Sequence, residues 1–155
     1  MAKNQVSRSV VIDAPAERIF RILSDARRHH EFDGSGTVRR ATAGAESLGP
    51  GSRFAMDMRM GVPYRIANRV VEYEENRLIG WRHFGPHIWR WRLEPLDDGT
   101  TRVTETFDYT RLPVAYILLG YPARNARGIE QTLPRLKRLA EEGGAPAADT
   151  AEDTG

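Results

Sequence analysis

Apolar residues recur along this chain with two different periods, and the switches between them divide it. Residues 6–12 form a short valine-rich run that ends at Asp13-Ala14-Pro15. This predicts a strand entering a helix, with Pro15 at the first helical position, where its missing N–H would be unpaired anyway. Glu17 then falls in the first turn, where a negative charge suits the helix dipole. Ala16, Ile19, Phe20 and Leu23 share one apolar face. The helical pattern weakens at Ser24-Asp25, residues 27–31 predict a second short helix, and Asp33-Gly34-Ser35-Gly36 reads as a turn.

From residue 37 to 109 the period is two. Phe54, Met56, Met58 and Met60 alternate with Arg53, Ala55, Asp57 and Arg59. Gly61-Val62-Pro63 breaks that strand. Tyr64, Ile66, Asn68 and Val70 follow on one face, then Ile79, Trp81 and His83, then Trp89, Trp91 and Leu93. Asp97-Asp98-Gly99 is a hairpin signal. Beyond it Val103, Glu105, Phe107 and Tyr109 alternate with Arg102, Thr104 and Asp108. Strands joined by short turns predict an antiparallel meander with one dry and one wet face.

The helical period returns after Tyr109. Residues 112–121 predict a turn or short helix. Residues 123–142 predict a long helix with Asn125, Ile129, Thr132, Leu133, Leu136 and Ala140 on one side. Pro134 is expected to kink it. Gly128, costly in a helix, is expected to face the sheet where backbone or ligand comes close. From Gly143 onward no large apolar side chain occurs, and a disordered tail is expected. The fold class is therefore α+β, one domain over residues 1–142: a curved antiparallel sheet of six or seven strands wrapped on a long C-terminal helix, with one or two short helices after the first strand.

Composition narrows the chemistry. The absence of cysteine removes disulfides and thiolate chemistry and fits a cytoplasmic setting. Lys3 and Lys137 are the only lysines, so 21 of the 23 basic residues are arginines, nearly cancelled by 21 acids. The arginines fall on the wet face, among Asp57, Glu72, Glu74 and Glu94, without interleaved exposed aromatics. That is a solvated exterior rather than a nucleic-acid surface. No apolar run approaches the ~20 residues that cross a bilayer, so no membrane insertion is expected. His29, His30 and Asp33 do not share the spacing of a metal site, and no metal or cofactor is expected.

Three stretches carry a family resemblance. They are Val11-Ile12-Asp13-Ala14-Pro15-Ala16-Glu17-Arg18-Ile19-Phe20, residues 70–81 from Val70-Val71-Glu72-Tyr73 to Leu78-Ile79-Gly80-Trp81, and residues 99–107 from Gly99-Thr100-Thr101 to Thr106-Phe107. In this order and spacing the chain resembles the START and birch-pollen-allergen-like superfamily, also called SRPBCC or polyketide cyclase/dehydrase-like. It is also similar to an actinobacterial subgroup carrying Asp33-Gly34-Ser35-Gly36-Thr37-Val38 and Trp81-Arg82-His83-Phe84-Gly85-Pro86-His87. The resemblance implies a helix-grip fold and the binding of a lipid-like or polycyclic, polyketide-like molecule between sheet and helix.

The dry face then becomes the candidate lining. It combines Met56, Met58, Met60, Tyr64 and Ile66 with Trp81, Trp89, Trp91, Phe107 and Tyr109, and the helices add Phe32, Ile129 and Leu133. Asn68, His83, His87 and Glu105, with Asn125 and Thr132, are the polar groups in that apolar setting. Glu105 and His83 are the candidate catalytic pair. A buried carboxyl must be paired or carry a raised pKa, which would suit proton transfer at an enol or ketone. Binding of a small hydrophobic ligand by a monomer or homodimer is the leading reading. A cofactor-independent cyclase, aromatase or dehydratase is the second, and an interaction module like the activators of heat-shock chaperone ATPases is the third.

Overall fold

The structure, a computed structural model, describes residues 3–43, 47–82 and 85–142. His83 and the expected tail lie outside them. Strand β1 (Gln5–Ile12) leads into α1 (Ala16–Leu23), and a 3-10 turn (Ala26–Arg28) runs into α2 (His29–Phe32). Six strands follow: β2 (Val38–Ala43), β3 (Arg53–Met60), β4 (Val62–Glu74), β5 (Leu78–Arg82), β6 (Ile88–Pro95) and β7 (Thr101–Asp108). Helices α3 (Pro113–Leu118) and α4 (Tyr121–Glu142) close the chain. The seven strands form one antiparallel sheet in the order β1-β7-β6-β5-β4-β3-β2, curled into a helix grip around α4.

Local chemistry explains the turns. Asn76 and Gly99 hold the left-handed backbone (φ 61° and 82°) that the β4–β5 and β6–β7 turns require. Inward residues of β6 and β7 are buried in the expected register: Trp91 and Leu93 on β6, and Val103, Glu105 and Phe107 on β7. On the wet face, Arg90 grips Glu72 through both carboxylate oxygens at 2.6 and 2.9 Å and reaches Asp108 at 3.3 Å. Arg65 pairs with Asp57, and Arg102 with Glu94.

A bulge at Val71 interrupts the alternation. Val70 pairs with Trp81, but Glu72 pairs with Gly80 and Tyr73 with Ile79. The extra residue reverses the parity of the strand. Glu72 is thereby turned outward to Arg90, and Tyr73 inward, edge-on to Phe20 at 5.6 Å.

Helix α4 buries Ile129, Thr132, Leu133, Leu136 and Ala140, as its apolar stripe predicts. It begins two residues before the expected start and continues unbroken through Pro134. That proline and Glu130, whose carbonyl loses its partner, both lie on the exposed side, where water can take the bond. Gly128 corrects the expectation of close approach to the sheet. It faces the turn after α2, and a Cβ there would come no nearer than 3.8 Å, to Ser35. The close approach is at Gly34, where a Cβ would lie 2.6 Å from the Thr132 backbone nitrogen. Lys137 donates to the Val11 carbonyl at 2.9 Å, and Glu141 accepts from the Asp13 N–H at 3.0 Å, tying α4 to β1.

Candidate functional site

The inner face of the sheet and the underside of α4 enclose the candidate residues. Phe32, Met56, Ile66, Asn68, His87, Trp91, Glu105, Phe107, Tyr109, Ile129, Thr132 and Leu133 are buried. Met58, Tyr64, Trp81, Trp89 and Asn125 are half-buried. Met60 departs from the expected dry wall and is 45% exposed. The alternation that aims it continues to the strand's end, but this end of the β3–β4 hairpin leaves the side chain open to solvent. There its sulfur meets the Arg124 guanidinium at 3.6 Å. Met58 and Tyr64 line a surface groove of about 700 Å³ with Arg39, Asp57, Arg59, Pro63 and Arg65.

Much of the inner wall is side chain packed on side chain. Phe32 stands edge-on to Trp91, centroids 5.9 Å apart. Phe107 touches Trp89 at 4.9 Å, Tyr109 at 5.6 Å and Tyr116 at 5.9 Å. His29 is the residue that the sequence pattern missed. It lies flat on Trp81 at 4.9 Å, edge-on to Phe32 and Phe54, and its Nε2 bonds the Leu23 carbonyl at 2.8 Å. That carbonyl can only accept, so the ring donates from Nε2. Burial lowers its pKa from 6.5 to about 4, so it is neutral at pH 7. Its spacing, six residues after the carbonyl it bonds, is the signal that helix periodicity does not use.

His87 is fixed rather than free. Its Nδ1 shares a 2.6 Å hydrogen bond with the Tyr116 hydroxyl, which fastens α3 to the sheet. Burial lowers its pKa to about 4 as well. Thr132 accepts the Gly34 N–H at 2.8 Å, and Arg135 donates to the Asp33 carbonyl at 2.7 Å, so the turn after α2 is clamped onto α4. Among the described residues no group of three or more His, Asp or Glu side chains is placed to hold a metal.

Glu105 differs from all of these. It is 6% exposed, and its Oε2 has no hydrogen-bond partner among the described residues. Burial first, and the Asp33 charge second, push its carboxyl well above the ordinary 4.5. Asp33 is well supplied by contrast: it accepts from the Ser35 N–H and hydroxyl and from the Val38 N–H. The site thus holds two carboxyls in different settings, one bonded by fixed donors and one with an oxygen that no described donor meets. In its protonated form, which burial favours, a carboxyl in an apolar wall can donate a hydrogen bond to an oxygen of a ligand, or a proton to it.

The sequence profile of the family described as polyketide cyclase / dehydrase and lipid transport matches residues 3–141. An uncharacterised protein of Mycobacterium tuberculosis, Rv0088, is 45% identical over 139 residues, which are 85% of this chain and 62% of that protein. The chain therefore spans less than two-thirds of this relative. Among solved structures, NE0264 from Nitrosomonas europaea superposes with a TM-score of 0.74 at 16% identity, covering 94% of this chain and 99% of that one. The polyketide-cyclase-like protein Cgl2372 from Corynebacterium glutamicum gives 0.62 at 24% identity, covering 92% and 95%. At these identities the two structures speak for the fold.

Proposed function

We propose, from the premise that this chain belongs to the family of polyketide cyclases/dehydrases and lipid-transport proteins, that it binds a small hydrophobic molecule between the inner sheet face and α4. Glu105 is the ligand's polar anchor in this reading. The observation that carries it is the buried Oε2 of Glu105, a polar atom with no hydrogen-bond partner among the described residues. Such an atom costs about 1–3 kcal/mol unless something answers it, and a ligand oxygen would. The half-buried Trp81 and Trp89, with Met58, would form the adaptable part of the wall. The wet-face arginines are partly neutralised by their own acids, which supports a protein that works without nucleic acid. We place it in the cytoplasm as a monomer or homodimer.

Titration with fatty acids and polycyclic aromatics tests this. Saturable quenching of tryptophan fluorescence at one ligand per chain is expected. Glu105→Leu, which removes both hydrogen-bonding oxygens, should weaken binding of an oxygen-bearing ligand by about 1–3 kcal/mol. An intact fold that binds none of a chemically broad set would sink the reading. The second reading is an enzyme of the cyclase or aromatase type, favoured by the raised pKa of Glu105. It separates cleanly: Glu105→Gln would then abolish turnover and leave affinity within a few-fold.

A further inference from the structure

Helix α3 presents an apolar surface that is exposed among the described residues. Tyr116 is its inward anchor, held by His87 at 2.6 Å. With that residue fixed, Val114, Ile117 and Leu118 must point outward, and Leu112 and Leu119 flank them. Val114 is 67% and Leu118 82% exposed. The tip of the β3–β4 hairpin is tied to the start of α4, the helix that follows α3: Met60 and Val62 are exposed, and Arg124 of α4 reaches the Met60 sulfur at 3.6 Å. These side chains project as a knob rather than line a groove. Isolated surface leucines are ordinary, but five large exposed aliphatic side chains within residues 112–119, with Met60 and Val62 at the hairpin tip that the start of α4 reaches, mark a surface that meets something apolar.

The charges around the knob say what it meets. No Asp or Glu occurs between Asp108 and Glu130, while Arg111, Arg124 and Arg127 do. None occurs between Asp57 and Glu72 either, a stretch that holds Arg59 beside Met60. The acids that bound these stretches are already ion-paired: Asp108 and Glu72 with Arg90, Glu130 with Arg8, and Asp57 with Arg65. An aliphatic knob within an arginine-rich, acid-poor rim complements an interface that is apolar below and negatively charged above. We propose that α3 and the β3–β4 tip dock the protein peripherally on an anionic lipid membrane. The knob is too short to span a bilayer, and no helix among the described residues is long and apolar enough to do so. This inference rests on the surface alone and holds whatever the interior binds.

Flotation of the full chain with vesicles tests it, comparing phosphatidylcholine alone with a mixture of phosphatidylcholine and phosphatidylglycerol. Binding is expected to the mixed vesicles, weakly or not at all to the neutral ones, and to fall as salt is raised. Leu118→Asp should reduce it about tenfold or more, and Arg111→Gln and Arg127→Gln about fivefold each. Both kinds of variant should melt like the wild type, because these side chains are exposed. Three results would overturn the proposal. One is no binding to the mixed vesicles, or equal binding to neutral ones. Another is wild-type binding by Leu118→Asp. The third is a solution dimer that Leu118→Asp dissociates, which would assign the knob to a second copy of the chain. The fluorescence titration reads the interior separately, so failure of one reading is not failure of the other.

Discussion

Gly34→Ala should lower the melting temperature by roughly 6–12 °C, the expected effect of about 3 kcal/mol on a chain of this size. The added methyl would lie 2.6 Å from both the Gln131 Cβ and the Thr132 backbone nitrogen, and 2.7 Å from the Gln131 carbonyl carbon. Two of these atoms are helix backbone. They cannot swing aside as the end of a flexible side chain can. The turn must therefore lift off α4, which breaks the Gly34 to Thr132 hydrogen bond and loosens the Arg135 contact with Asp33. Gly128→Ala is the matching control on the same helix. Its methyl would meet Ser35 at an ordinary 3.8 Å, and alanine is the better helix former by about 1 kcal/mol. It should stabilise. Thermal melts of the two variants decide the matter. Equal, unchanged melting for both would mean that the turn does not pack on the helix as described.

Glu105 and His29 should give the protein opposed pH dependences. In the folded chain Glu105 holds its proton well above 4.5. Folding therefore takes up a proton between the two pKa values. The stability this represents is complete below pH 4.5 and is lost as pH rises through the folded pKa. Glu105→Gln has no such loss. Its stability relative to wild type should grow steadily above pH 4.5. His29 works the other way. The folded ring protonates only near 4, the unfolded one near 6.5, so its contribution is complete above 6.5 and is lost as pH falls towards 4. The loss is on the order of 3 kcal/mol. His29→Phe keeps a ring against Trp81 and removes the titration, so the wild type should fall relative to it below pH 6.5. His87 adds to the acid-side loss in the same sense. Denaturant unfolding of the three proteins from pH 4.5 to 8 measures both. A flat difference between wild type and Glu105→Gln would show that the carboxyl is solvated or paired after all.

The architecture was legible because it rests on periodicity, which is local. Inward and outward faces of β6 and β7, the apolar stripe of α4 and the hairpin at Gly99 each follow from residues a few positions apart. Burial of Glu105 was legible for the same reason, since Val103 and Phe107 set the parity of the strand.

What escaped depends on segments far apart in the chain. The reversal at Val71 is visible only once β5 supplies the opposing residues. Met60 obeys the alternation and is exposed all the same, because periodicity tells which face a side chain takes and not whether anything covers it. His29 stands in a polar run, and only the rings of Phe32, Phe54 and Trp81 converging on it make it a core residue. The two glycines show the limit most directly. Gly128, inside a helix, looked like the residue of close approach, and Gly34 looked like a turn. The tight contact belongs to Gly34, whose partner Thr132 is 98 residues away. Steric fit between two such surfaces is a property of their docking, and no pattern within either stretch contains it.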